Sequence, residues 1–238
     1  MTLPAYLVAF NLSVMPVDYQ WDTVLFNTFW AVTDEDNPRL ANALQLISAK
    51  AAFALGVACS EWVVARVDGH TDTKDALSRI EAAWAGAIDP LYAKLPAPPP
   101  NPPEAVQLFA SPLRLAMKLI ANAHESCTGD GEGVRSSTQG LAMLVDHIAG
   151  RHPAYAPWLS ASLRRCHEHY PASDTLVEDE APVPRELFNP GFVWSQEAVH
   201  AAIQEFLPTL NPAGNPYLRS PEAMLAAGFK GVPYGGGK

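Results

Sequence analysis

The sequence NPRLANALQLISAKAAFALGVACSEWVVARV, residues 37–67, decides the fold of this chain. Asn37 followed by Pro38 is typical of a helix start, with the asparagine as cap and the proline in the first turn. Apolar side chains recur three and four residues apart, at Leu40, Leu44, Ile47, Ala51, Ala54, Ala58 and Trp62. Further apolar side chains widen this stripe, at Leu46, Phe53, Val57 and Val64. A helix that is apolar on most sides must be surrounded. The pattern predicts a long buried central helix in a mainly α, irregular multi-helix domain.

The residues before this helix predict one strand and one short helix. Side chains alternate over residues 6–14 with the period of a β-strand, and Pro16 ends the pattern. A lone strand needs a partner, so we expect a minor hairpin with residues 192–194 or an extended segment across the helices. Asp22 is placed to cap a short helix that reaches Val32.

Caps, prolines and apolar periodicity predict more helices in the rest of the chain. They cover residues 72–88, 111–124, 136–150 and 157–169, and two shorter helices follow Ser195 and Ser220. Residues 127–138, CTGDGEGVRSST, predict a flexible glycine-rich loop. The acidic residues 172–184 are expected to be exposed.

The proline-rich segment 95–103 is the clearest interruption of the chain. Six of its nine residues are proline, which predicts an extended connector. We predict a single domain over 1–238, with a possible division into helical halves 1–94 and 104–171. Residues 172–238 would then form an irregular, proline-rich C-terminal extension that packs on the body.

The charge balance limits the possible partners. Sixteen basic and 25 acidic residues give a net charge of −9 and a pI near 5.2. Nucleic acid and anionic membrane surfaces are therefore unfavourable partners, whereas a basic protein is favoured. The only adjacent basic pair, Arg164 and Arg165, is interpreted as complementing the negative end of its helix. The longest uncharged apolar run, residues 51–60, is far below the ~20 residues that span a bilayer.

The cysteines and histidines supply a weak metal-site hypothesis. Three widely spaced cysteines form no disulfide framework, and together with the lack of a signal-peptide pattern they favour a cytoplasmic protein. Cys166 and His169 share one helix face, and His124 and Cys127 form a second pair. A zinc site, or Cys–His nucleophilic chemistry, would require the fold to bring these pairs together. No motif predicts a cofactor.

Two acidic runs are candidates for contacting a partner: Asp34, Glu35 and Asp36, and Glu178, Asp179 and Glu180. We expect a non-enzymatic protein-binding protein, one version of which is an inhibitor or immunity protein that neutralises a basic toxin or enzyme. An enzyme with a dispersed His, Cys and carboxylate site, such as a metal-dependent hydrolase, is one alternative. A helical scaffold subunit is the other, and the oligomeric state stays open.

Overall fold

A computed structural model of the protein describes residues 1–99, 107–127 and 132–235. Over these residues the protein is mainly α-helical, which confirms the predicted fold class. The α-helices are α1 (Ala5–Ala9), α2 (Thr23–Trp30), α3 (Pro38–Gln45), α4 (Ala49–Val67), α5 (Lys74–Ile88), α6 (Ala110–Ser126), α7 (Glu132–Ala149), α8 (Tyr155–His169), α9 (Gln196–Phe206) and α10 (Pro221–Ala226). Short 3-10 turns lie at Leu12–Val14, Pro90–Tyr92, Val177–Asp179, Arg185–Phe188 and Leu207–Thr209. None of the helices in these ranges combines the length and apolar character needed to cross a membrane.

Helix α4 lies at the centre of the fold. All 19 of its residues are buried, and α5, α6 and α7 pack against it. Helix α7 comes close to α4 at Gly56, where an added Cβ would lie 2.9 Å from Thr138 Oγ1. The same hydroxyl donates a hydrogen bond to the carbonyl of Ala52 at 2.9 Å. A residue without a side chain is therefore needed at position 56 to let the two helices meet at this distance.

The prediction of one uninterrupted helix over residues 37–67 is wrong. The chain leaves the helix after α3 and starts α4 with Ser48 as a new cap, whose Oγ accepts a hydrogen bond from Ala51 N at 3.2 Å. The amide of Ser48 donates to Tyr170 O at 2.9 Å, so the break is held by residues that follow α8. The break separates an amphipathic helix at the surface from a helix that is buried on all sides.

The prediction of a strand over residues 6–14 is also wrong. Residues 5–9 form α1 and Leu12–Val14 is a 3-10 turn, with Leu7 and Leu12 buried while Val8 and Val14 are 60% and 76% exposed. Across the described ranges, β-structure amounts to two isolated bridges, Ile47 with Pro171 and Ala93 with Leu218. A segment without a partner strand satisfies its backbone groups within itself, which favours helical turns.

The later helices follow the predicted pattern with one shifted boundary. Helices α5, α6 and α8 to α10 lie where caps and periodicity predict them. Helix α7 begins at Glu132, so Gly133 belongs to a helix and not to the predicted glycine-rich loop; residues 128–131 lie outside the described part. Residues 100–103 of the predicted proline connector lie outside it as well. The division of the chain into domains stays a prediction.

The C-terminal residues pack on the helices. Leu218 and Met224 are buried, and Arg219 N donates to Tyr92 O at 2.8 Å. The ring of Tyr92 also contacts the rings of Phe229 and Tyr234 at 5.2 and 5.0 Å between centroids. Backbone pairing and aromatic contacts therefore attach the residues after α9 to the turn that follows α5.

The acidic segment 172–184 is exposed over residues 172–176, as expected, whereas Val177, Val183 and Pro184 are buried. Glu180 Oε1 and Oε2 accept hydrogen bonds from the amides of Ala49 and Lys50, at 3.1 and 2.6 Å. Lys50 Nζ donates to the carbonyl of Glu180 at 2.7 Å, and Val183 is fully buried. The first amides of a helix have no partner inside the helix, and at a buried end no water can replace one. Glu180 therefore completes the start of α4.

We expect Glu180→Ala to lower the free energy of unfolding by about 2 kcal/mol, because two buried amides lose a charged acceptor. Asp179→Ala is the matched control, since it removes the exposed neighbouring carboxylate and should change stability by less than about 0.5 kcal/mol. Urea unfolding of both variants measures the difference. Equal losses would show that the segment acts through its charge and not through the cap.

Candidate functional site

The first pair of predicted metal ligands lies in α8 and is held by packing. Cys166 is fully buried, and burial raises the pKa of its thiol to about 12. The ring of His169 stacks on Trp194 with 4.1 Å between centroids and an angle of 1° between the planes. The two side chains therefore have different surroundings, one in the core and one against an indole.

The second pair lies at the end of α6. His124 Nε2 is 3.2 Å from the carbonyl of Pro90, and burial lowers the pKa of its imidazole, so the ring is neutral at physiological pH. Burial raises the pKa of the Cys127 thiol to about 12. Within residues 1–99, 107–127 and 132–235, no three His, Cys, Asp or Glu side chains are grouped so that they could hold a metal ion.

The environment of the cysteines disfavours thiol chemistry at these positions. A thiol with a pKa of about 12 is ionised in only about one molecule in 10⁵ at pH 7. Burial likewise raises the pKa of Cys59, which lies inside α4. Because the thiolate is the nucleophile and the metal ligand, these three side chains behave as small apolar core residues.

The structure places the first acidic run before α3 and Glu180, the last residue of the second run, at the start of α4. Asp34 and Glu35 are exposed on the turn before α3, where the Asp36 carboxylate accepts hydrogen bonds from Thr33 N and Oγ1 at 2.7 and 2.9 Å. These bonds lower the pKa of Asp36, so it stays ionised at neutral pH. In the second run Asp179 is exposed, Glu180 caps α4, and the side chain of Glu178 lies outside the described part.

A surface groove of about 600 Å³ runs from the turn before α3 to helices α7 and α8, and we call it the acidic groove. Met143 and Asp146 of α7 reach it from positions three apart, and Leu159 and Leu163 of α8 from positions four apart. These spacings put each pair on one helix face. Leu40 closes the groove on the side of α3.

Carboxylates outnumber cations around the acidic groove. Asp36 and Asp146 line it, as does Arg39, while Asp34 and Glu35 are exposed on the adjoining turn. Sequence reasoning found the three consecutive acids but missed Asp146. Asp146 follows Met143 by three residues, which predicts that the two side chains share one helix face. The sequence does not show that this face of α7 lies beside α3.

A second polar arrangement lies inside the core. Glu61 of α4 accepts hydrogen bonds at Oε1 from Trp84 Nε1 at 2.9 Å and from Arg185 Nε at 2.8 Å. Burial raises the pKa of Glu61, and the neighbouring Arg185 guanidinium opposes that rise. The fold holds in place both side chains that donate to the Glu61 carboxylate. We therefore assign a stabilising role, and not a functional one, to this cluster.

No protein family, curated protein or solved structure matches the chain. The function is therefore inferred from the geometry of these surfaces.

We expect Arg185→Ala to lower the free energy of unfolding by about 3 kcal/mol near pH 8, because Glu61 would stay buried without its countercharge. The raised pKa of Glu61 would rise further in the variant, so the carboxyl would be protonated in the folded state at lower pH. The folded state then holds a proton that the unfolded state releases above the usual glutamate pKa. The loss of stability should therefore be smaller near pH 5 than near pH 8.

Arg151→Ala is the control for this experiment. Arg151 pairs with Asp18 at 2.6 Å, but its side chain is 75% exposed, so its removal should cost less than about 1 kcal/mol. Urea unfolding across this pH range compares the two variants. A pH-independent loss in Arg185→Ala would contradict the role given to Glu61.

Proposed function

We propose that the protein is a non-catalytic protein-binding protein that holds a basic segment of a partner protein in the acidic groove. The observation that carries the proposal is the combination of an apolar floor, from Leu40, Met143 and Leu159, with carboxylates at Asp36 and Asp146. Lysine and arginine have the matching chemistry, because their apolar stems lie along apolar surface while the charged head stays at a polar edge.

The charges around the groove support a basic partner. Asp36 is held ionised by its bonds to Thr33, and Asp34 and Glu35 extend the negative surface over the adjoining turn. Together with a net charge of −9, this surface would accelerate the approach of a positively charged protein. The same charge disfavours nucleic acid as a ligand.

An inhibitor that neutralises a basic enzyme, as an immunity protein does with a toxin, is the most concrete version of this proposal. Such a protein functions by covering its partner's cleft, which demands an acidic surface on a stable scaffold and no reactive group. A cytoplasmic location belongs to the same proposal, since three protonated, unbridged cysteines suit a reducing compartment.

The test is capture of partners from a lysate of the native source with two variants of equal charge. Asp34→Asn with Asp146→Asn changes the acidic groove and its turn, whereas Asp68→Asn with Asp174→Asn removes two exposed carboxylates that belong to neither acidic run. We expect the wild type and the second variant to retain the same basic protein, and the groove variant to bind it about tenfold more weakly. Quantitative mass spectrometry and the dependence of retention on salt measure the effect.

Equal retention by both variants would overturn the role of the groove. Recovery of the chain without a stoichiometric protein would overturn the proposal, and a bound metal ion would in addition favour the enzyme alternative.

A further inference from the structure

A second cavity, of about 380 Å³, lies between α8 and the loop at residues 189–192, and we call it the arginine pocket. Its walls are mainly aromatic and apolar, and its polar lining comes from the only adjacent basic pair of the chain. The side chains that matter are Phe10, Trp158, Arg164, Arg165, Pro190 and Phe192. An apolar cavity of this size with a few convergent polar groups is typical of a small-molecule site.

The walls of the arginine pocket are held in place by hydrogen bonds. Trp158 Nε1 donates to the carbonyl of Phe188 at 3.0 Å, which fixes the indole. Arg165 Nη1 donates to the carbonyl of Asn189 at 2.7 Å, and the amide of Phe192 donates to the same carbonyl at 3.0 Å. The loop and the helix are therefore joined before any ligand binds, which reduces the entropy lost on binding.

The arginines retain unused hydrogen-bonding capacity. Arg165 Nε is buried and has no hydrogen-bond partner among the described residues. Arg164 is exposed beside it, and neither guanidinium forms an ion pair with a carboxylate of the described chain. A buried donor without an acceptor is unfavourable. The exposed guanidinium of Arg164 can donate to an anionic oxygen bound in the pocket.

We propose that the arginine pocket binds a small monocarboxylate with an aromatic body. Guanidinium groups bind carboxylates through paired hydrogen bonds, and the apolar lining from Phe10, Pro190 and Phe192 suits a flat apolar ring. A phosphate or a nucleotide would need more donors than an apolar wall supplies. The proposal is independent of the acidic groove, which α8 presents on another face.

The probe is 3-phenylpropionate, and the matched ligand control is 3-phenylpropan-1-ol, which has the same body without the charge. We expect calorimetry with the full chain to show binding of the acid at low millimolar concentration or tighter, and binding of the alcohol at least about tenfold weaker. The intrinsic tryptophan fluorescence should change with the acid over the same concentrations, since the indole of Trp158, one of six in the chain, lines the pocket.

Two arginine variants test the site. Arg164→Gln and Arg165→Gln should each weaken the binding of the acid about tenfold. Arg151→Gln is the control, because it removes an exposed cation that pairs with Asp18 outside the pocket and should leave binding unchanged. Because Arg165 also holds the loop, Ala161→Leu is the second route. This substitution fills the cavity without removing a hydrogen bond, so it should weaken the binding of the acid and of the alcohol alike.

Several results would overturn the proposal. They are no binding of the acid at millimolar concentration, equal binding of the alcohol, and unchanged binding in Arg164→Gln or Ala161→Leu. Competition by inorganic phosphate at the same concentration would overturn it too, because the site would then recognise an anion without regard to the apolar body. Thermal unfolding of each variant establishes that it is folded at the temperature of the measurement.

Discussion

The complete burial of α4 is the constraint on which the rest of the structure depends. A helix end, a charge or a hydroxyl inside a core must find its partner in the protein, since water cannot reach it. Arg66 illustrates the demand, because its guanidinium donates to the carbonyls of Leu12, Pro16 and Ile148 at 3.0 to 3.3 Å. One buried side chain thereby holds the N-terminal segment and the end of α7 in place.

The same demand explains which parts of the chain lie against the start and the middle of α4. Its first amides bind Glu180, which lies 130 residues later in the sequence, and Glu61 in its middle binds Arg185. The segment that carries Glu180 and Arg185 follows α8 and is rich in charged residues and proline. It nevertheless packs on the core, because it supplies the hydrogen-bond acceptor and the countercharge that α4 needs. These polar contacts and the buried side chains of Val183, Leu187 and Phe188 together give this segment its position.

The sequence predicted what depends on local periodicity and missed what depends on distant partners. Helices α5, α6 and α8 follow from their own apolar faces, so their positions were predictable although their N-cap residues make no side-chain hydrogen bond. The break before Ser48 depends on the carbonyl of Tyr170, and the structural use of Glu180 depends on a buried helix end. Alternation over residues 6–14 matched a strand, but it carried no information on whether a partner strand exists.

The candidate sites were harder to predict because each is shared by elements that are distant in sequence. Three consecutive acidic residues indicated one side of the acidic groove, while its other side comes from residues spaced along α7 and α8. Likewise, Arg164 and Arg165 were visible as a pair, but the aromatic walls around them come from α1's end and from the loop after Phe188. Sequence patterns identify side chains of unusual chemistry more readily than they identify the surfaces that these side chains join.

Helix α8 relates the two surfaces to the buried core. At 100° per residue, Trp158, Ser162 and Cys166 form a face that is buried. Leu159 and Leu163 lie on one flank and line the acidic groove, while Ala161 and Arg165 lie on the other and line the arginine pocket. A single helix thus separates a surface suited to cations from a cavity suited to anions. Because its buried face is anchored on α4, a ligand on either flank meets a wall that is already rigid.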